Sequence, residues 1–135
     1  MTAKTYLERL KRLDDEINEH LKEISELRSM ACNVSVASDK ERVQTSLNGG
    51  KIENLVARII DLERETDELT DKFADLKNEV AIKISMLSNE RQKEILFKKY
   101  VEYKSIYFIA GYLGITDRGC KKAHKKALSE FEKVM

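Results

Sequence analysis

The sequence contains no proline, no tryptophan, five glycines and two cysteines in 135 residues. Without proline, nothing forces a helix to stop early. No apolar run approaches the ~20 residues that a membrane span needs. The first residues, with Lys4, Glu8, Arg9 and Lys11, lack the apolar core of a signal peptide, so a cytoplasmic protein is expected. Cys32 and Cys120 stand far apart without metal-ligand spacing and read as two reduced thiols. His20 and His124 have no partner at ligand spacing, so neither a metal nor a cofactor is expected. No phosphate-cradling glycine loop, no His or Cys paired with a base and no carboxylate pair in apolar surroundings is present. The chain does not read as an enzyme.

Charge is what the sequence has in excess. Charged residues make up 36% of it, against about 25% in ordinary globular domains. With Leu and Ile as the main apolar types, this points to long helices with narrow buried stripes. The signs are segregated: residues 1–90 hold 14 basic and 19 acidic side chains, residues 91–135 hold 11 and 5. An acidic elongated part followed by a basic compact part suggests two tasks, the basic part being the one to meet an anionic partner.

From Tyr6 the apolar residues run Leu10, Leu13, Ile17, Leu21, Ile24 and Leu27, in steps of three and four that mark one stripe on a long helix. In heptad register His20 interrupts the seam as a register-setting polar residue. The pattern returns from Ile52 through Leu55, Ile59, Leu62, Leu69, Phe73, Leu76 and Val80 to Leu87, interrupted at Thr66. Five heptads of seam favour a coiled coil over a globular helix. Between the two lies a polar stretch, about residues 32–50, with Gly49 and Gly50 as its natural turn. Ser38-Asp39-Lys40-Glu41 has the form of a capping box. The simplest topology is a long antiparallel helical hairpin over residues 1–87, able to pair with a second copy as a dimer.

Residues 88–135 change character. Ser88 or Asn89 can cap a helix carrying Ile95, Leu96, Tyr100 and Val101, followed by a break at Glu102–Lys104. A second helix is predicted from about Ser105 to Leu113, with a left-handed turn at Gly114. Thr116 caps a third that continues toward Phe131. Three short helices with a tight turn between the last two have the plan of a helix-turn-helix. Ala110 is the small residue needed where the helices cross, and Gly114 takes positive φ at little cost. Ile109, Leu113, Ile115 and Cys120 hold the pair together. Away from the Cys120–Ala123–Ala127–Phe131 stripe, Arg118, Lys121, Lys122, Lys125 and Lys126 form a cationic band suited to phosphates, with Thr116 and Lys104 near its edges. Asp117, Arg118, Lys121 and Lys122, at the helix start, are placed to reach base edges of duplex DNA.

The stretch IYFIAGYLGITDRGCKKA, residues 106–123, closely resembles a DNA-binding helix-turn-helix. Ile109-Ala110, Leu113-Gly114-Ile115-Thr116, then Ala127-Leu128 with Phe131, are similar to region 4 of sigma-70-like factors. Tyr6-Leu7 through Leu13-Asp14, Glu41-Arg42-Val43-Gln44, and Ala57 through Glu63 resemble small phage and prophage proteins of Gram-positive bacteria, ArpU-type late-gene regulators among them. Gly111 and Gly119 depart from the pattern, each costing a helix up to ~1 kcal/mol relative to Ala.

The resemblance implies an all-α transcription regulator of a bacterial host cell: a coiled-coil hairpin, then a helix-turn-helix module on duplex DNA. It further implies a second surface, from Phe97, Lys98, Tyr103, Tyr107 and Phe108, that would meet host RNA polymerase. The competing readings are a small terminase subunit of a DNA-packaging machine and a coiled-coil adaptor that binds protein alone.

Overall fold

The computed structural model describes residues 1–40 and 45–135, with side chains at 1–33 and 50–135. These residues are all-helical. The elements are α1 (Ala3–Lys40), α2 (Thr45–Ser85), α3 (Glu90–Leu96), a π-helical turn (Phe97–Val101), α4 (Ile106–Leu113) and α5 (Asp117–Glu132). At 38 and 41 residues, α1 and α2 are the long uninterrupted helices that a proline-free, charge-rich sequence favours.

The connection between them is shorter than the predicted 32–50 loop. α1 continues to Lys40 and α2 begins at Thr45, so Gly49 and Gly50 lie inside a helix. Glycine lowers helix propensity by about 1 kcal/mol but keeps its N–H and its helical φ and ψ; only proline removes a helical hydrogen bond outright. The proposed capping box reaches Glu41, and Glu41–Gln44 lies outside the described residues.

The chain divides into two compact units, and the division is not at residue 87. One unit contains residues 1–14 and 72–135, the other residues 15–71. The shift in charge had pointed to a boundary at 87/88, but charge marks the solvent-facing surface, and packing follows the apolar stripes.

In the unit of residues 15–71, Ile24 of α1 meets Ile59 and Leu62 of α2 in a small buried cluster, with Leu27 against it. Thr66 is buried in the seam and donates its hydroxyl to the Leu62 carbonyl at 2.6 Å. His20 is half-buried and its Nδ1 has no hydrogen-bond partner. Leu21 leaves the predicted stripe, with half of its surface exposed. Arg28–Glu63 and Arg58–Glu23 ion pairs join the two helices; being exposed, each contributes at most ~1 kcal/mol.

The other unit holds the main core. Ala3, Tyr6, Leu7 and Leu10 of α1 and Leu76, Val80 and Ile84 of α2 close around Leu96, Tyr100, Ala127 and Phe131. Phe131 is fully buried, its ring 5.8 Å from that of Tyr6. The Ala3 N–H, which the first turn of α1 leaves without a helical acceptor, donates to Glu132 at 3.2 Å. Lys83 donates to the Tyr6 hydroxyl at 3.1 Å and to Glu79 at 2.9 Å. Tyr6, then Lys83, hold Glu79 below the usual carboxylate range, and Tyr6, then Glu79, hold Lys83 above the usual amine range.

α3 begins where Asn89 accepts from the Gln92 N–H at 3.2 Å. It then widens into the π turn, closed by Glu102 N–H to Phe97 C=O at 3.1 Å. The wider turn sets Tyr100 in the core.

Two outcomes test the shared core. Phe131→Ala should cost about 3–5 kcal/mol in urea unfolding. Residues 88–135 alone, stripped of the α1 and α2 ends, should show no cooperative melt. A sharp transition in that fragment would mean that the ends are dispensable.

Candidate nucleic-acid interface

Each end of the α4–α5 turn is set by a local hydrogen bond. Ser105 accepts from the Phe108 N–H at 3.1 Å and starts α4. Gly114 ends it in the left-handed region at φ 68°, and its N–H returns to the Ala110 and Gly111 carbonyls. Two residues later the Thr116 hydroxyl accepts from the Gly119 N–H at 3.0 Å and starts α5. Asp117 in the first turn of α5 complements the helix dipole.

The predicted packing residues come together. Ile109, Ala110 and Cys120 are buried with Ile95 of α3, and Leu113, Ile115, Ile106 and Ala123 pack against them; Gly114 stands exposed at the turn. Ile95 was read as part of the first helix's own stripe, and its partners across α4 and α5 are visible only in three dimensions. Burial, with Asp117 nearby, pushes the Cys120 thiol up from its ordinary value, so the thiol stays protonated and packs as a small apolar group. Cys32, by contrast, is exposed.

Thr116, Asp117, Arg118, Lys121, Lys122, Lys125 and Lys126 are all exposed. One helix therefore buries Cys120, Ala127 and Phe131 on one side and turns five cations to solvent on the other, with Asp117 as the only carboxylate at its start. Such a surface attracts polyanions over a distance set by salt.

Beside this band α4 carries an aromatic face. Tyr107 is 64% exposed and Tyr112 58%, with Phe108, Phe97 and Tyr103 also exposed. A lysine stands over several of the rings: Lys98 over Tyr112 at 4.0 Å, Lys104 over Phe108 at 5.0 Å and Lys121 over Tyr107 at 5.7 Å. Tyr112 was absent from the predicted second surface; its place one turn after Phe108 was the available signal.

His124 is half-buried behind the cationic band. Its Nε2 lies 2.8 Å from the Tyr100 hydroxyl, and the two rings stack. Burial, then the charges of Lys99 and Lys4, pushes His124 down to about 4. Burial, then Glu8, pushes Tyr100 up to about 12. Both side chains are uncharged at neutral pH.

No helix of the described residues is long and apolar enough to cross a membrane. Comparison of the chain with protein-family models, curated proteins and solved structures finds no match.

The two departing glycines differ in surroundings. A Cβ at Gly111 would meet open space, whereas one at Gly119 would lie 3.0 Å from the Thr116 hydroxyl that caps α5. Gly111→Ala should stabilise by up to ~1 kcal/mol, and Gly119→Ala clearly less, because the cap must shift. Gly114→Ala, at positive φ, should destabilise. Thermal melts of the three variants check this order.

A pH dependence follows from His124. Below about 6.5 the unfolded chain binds a proton on this imidazole. The folded chain refuses it until about pH 4. Stability should therefore fall as pH drops through that window. Urea unfolding at about pH 7 and about pH 5 should show a smaller loss in His124→Gln than in the parent.

Proposed function

We propose that this chain is a phage-type transcription regulator that binds duplex DNA through α4 and α5, acting as a sigma region 4-like helix-turn-helix. The observation that carries the reading is the two-sidedness of α5. Its packing positions are buried against α3 and α4, and every position expected to touch DNA is exposed. The capped turn at Gly114 and Thr116 supports it, because a recognition helix must leave its partner helix at a fixed angle for its first residues to enter the major groove. Arg118, Lys121 and Lys122 would then read base edges, while Lys125 and Lys126 hold phosphates.

The finer architecture belongs to the same proposal: residues 1–87 act as an antiparallel coiled-coil hairpin that pairs with a second copy. Host RNA polymerase would be the second partner, met by the exposed Phe97, Tyr103, Tyr107 and Phe108 with the half-buried Lys98, to which the exposed Tyr112 is added.

Salt titration of duplex binding by the full chain tests the DNA reading. Binding should weaken steeply with salt as counterions are released. Lys125→Ala and Lys126→Ala should each flatten the slope by about one and weaken all sequences alike, whereas Arg118→Ala and Lys121→Ala should change sequence preference. Four variants indistinguishable from the parent would remove α5 as the reading element. A run-off assay with host polymerase should then show Phe97→Ala and Tyr107→Ala losing activation while keeping DNA affinity. Binding to a packaging-start sequence and a large terminase subunit, with no responding promoter, would favour the packaging reading.

A further inference from the structure

A cavity of about 430 Å³ opens between the start of α1, the π turn and its exit, the first residue of α4, and His124 of α5. Its cationic lining is Lys4, Lys11, Lys99 and Lys104, set against the single carboxylate of Glu8. Among the described residues, Lys4, Lys99 and Lys104 form no ion pair. Lys4, Lys11 and Lys104 are exposed and Lys99 is half-buried, so the concavity gathers positive charge.

The cavity is also a built one. The hydrogen-bonded pair of Tyr100 and His124 lines it. Tyr103 stands at its edge with φ 60°, the one non-glycine residue with positive φ among the described residues. An aromatic residue held in that region is strained by roughly 1–3 kcal/mol, and such strain gathers at ligand sites. The Tyr103 ring and Ile106 add apolar wall next to the ammonium groups, and the Lys11 ammonium lies 6.0 Å from the ring centroid. The volume falls within the ~300–1,000 Å³ of small-molecule sites.

We infer that this cavity binds a phosphate-bearing ligand of nucleotide size, its phosphate taken by the lysines and its organic part laid against Tyr103 and Ile106. The chemistry is shared by a free mononucleotide and by a nucleotide of the DNA backbone, and the site itself does not depend on the proposed reading of α5.

His124 is the built-in reporter. The titratable and charged groups that line the cavity with it are Lys4, Glu8 and Lys11 from α1, Lys99 and Tyr100 from the π turn, and Tyr103 and Lys104 from its exit. The field of Lys99 and Lys4 helps to keep its imidazole neutral, and an anion seated among the lysines cancels that field, so occupancy raises the affinity of His124 for a proton. By linkage, the ligand binds more tightly as pH falls toward the His124 range.

The test is a nuclear magnetic resonance titration of the imidazole signals of the full chain with inorganic pyrophosphate, then AMP, with His20 in residues 15–71 as internal reference. Saturable movement of His124 at up to about millimolar ligand, with a raised apparent pKa and an unmoved His20, supports the site. Lys4→Gln and Lys99→Gln, checked for retained helicity, should each weaken binding about fivefold or more, whereas Lys133→Gln, a lysine outside the cavity, should not. An unmoved His124 overturns the proposal. So does movement matched by His20, or affinities that Lys4→Gln and Lys99→Gln leave unchanged. Duplex DNA added to the saturated protein separates the two sources. Displacement of pyrophosphate by DNA assigns the cavity to a backbone phosphate, and retention assigns it to a free phosphorylated molecule. If pyrophosphate binds as expected and no duplex binds at all, the cavity stands and the reading of α5 fails by itself.

Discussion

The apolar stripe of α5 is the constraint on which the C-terminal helices depend. At seven and eight residues, α3 and α4 are too short to persist as isolated helices in water. Their order comes from burial. Cys120 gathers Ile95, Ile109 and Ala110 at one end of the stripe, and Ala127 and Phe131 enter the larger core of Tyr6, Leu7, Val80 and Leu96 at the other. Burying side chains such as Ile95, Ile109, Leu7 and Phe131 contributes roughly 1.5–3 kcal/mol each. α5 is therefore held along its whole length on one side, which leaves its opposite side free to carry cations without losing its place.

That arrangement also sorts the charges. Lysines on the exposed side of α5 are solvated and keep their charge in water, so their energetic cost is small and their field reaches outward. His124, by contrast, is desolvated and feels the charges of Lys99 and Lys4, and the outcome is a neutral His124 bonded to a neutral Tyr100. One helix thus carries a solvated cationic side and a desolvated, neutral imidazole.

Much of this was legible from residue spacing. The starts of the last three helices could be read near Ser88 or Asn89, near Ser105 and at Thr116, and Asn89, Ser105 and Thr116 accept the capping bonds. The left-handed turn could be read from Gly114, and the two-sidedness of α5 from the steps between Cys120, Ala123, Ala127 and Phe131. Three features were not legible. The extent of α1 and α2 was obscured by Gly49 and Gly50, because glycine marks turns and yet is tolerated in helices. The boundary between units was misplaced because residues 1–14 are distant in sequence from the residues they bury; no local pattern reports a pairing such as Tyr6 with Phe131. The cavity around His124 was invisible for the same reason, its lysines coming from segments that ordinary periodicity reads as solvated faces.

The central claim is that α5 presents its cationic side to duplex DNA while its other side remains locked in the core. Amide hydrogen exchange of the full chain, with and without a duplex, tests it most directly. The account predicts that DNA slows exchange across residues 116–126, and that residues 15–71 exchange as in the free protein. Unchanged exchange across α5, with new protection confined to residues 15–71, would contradict it.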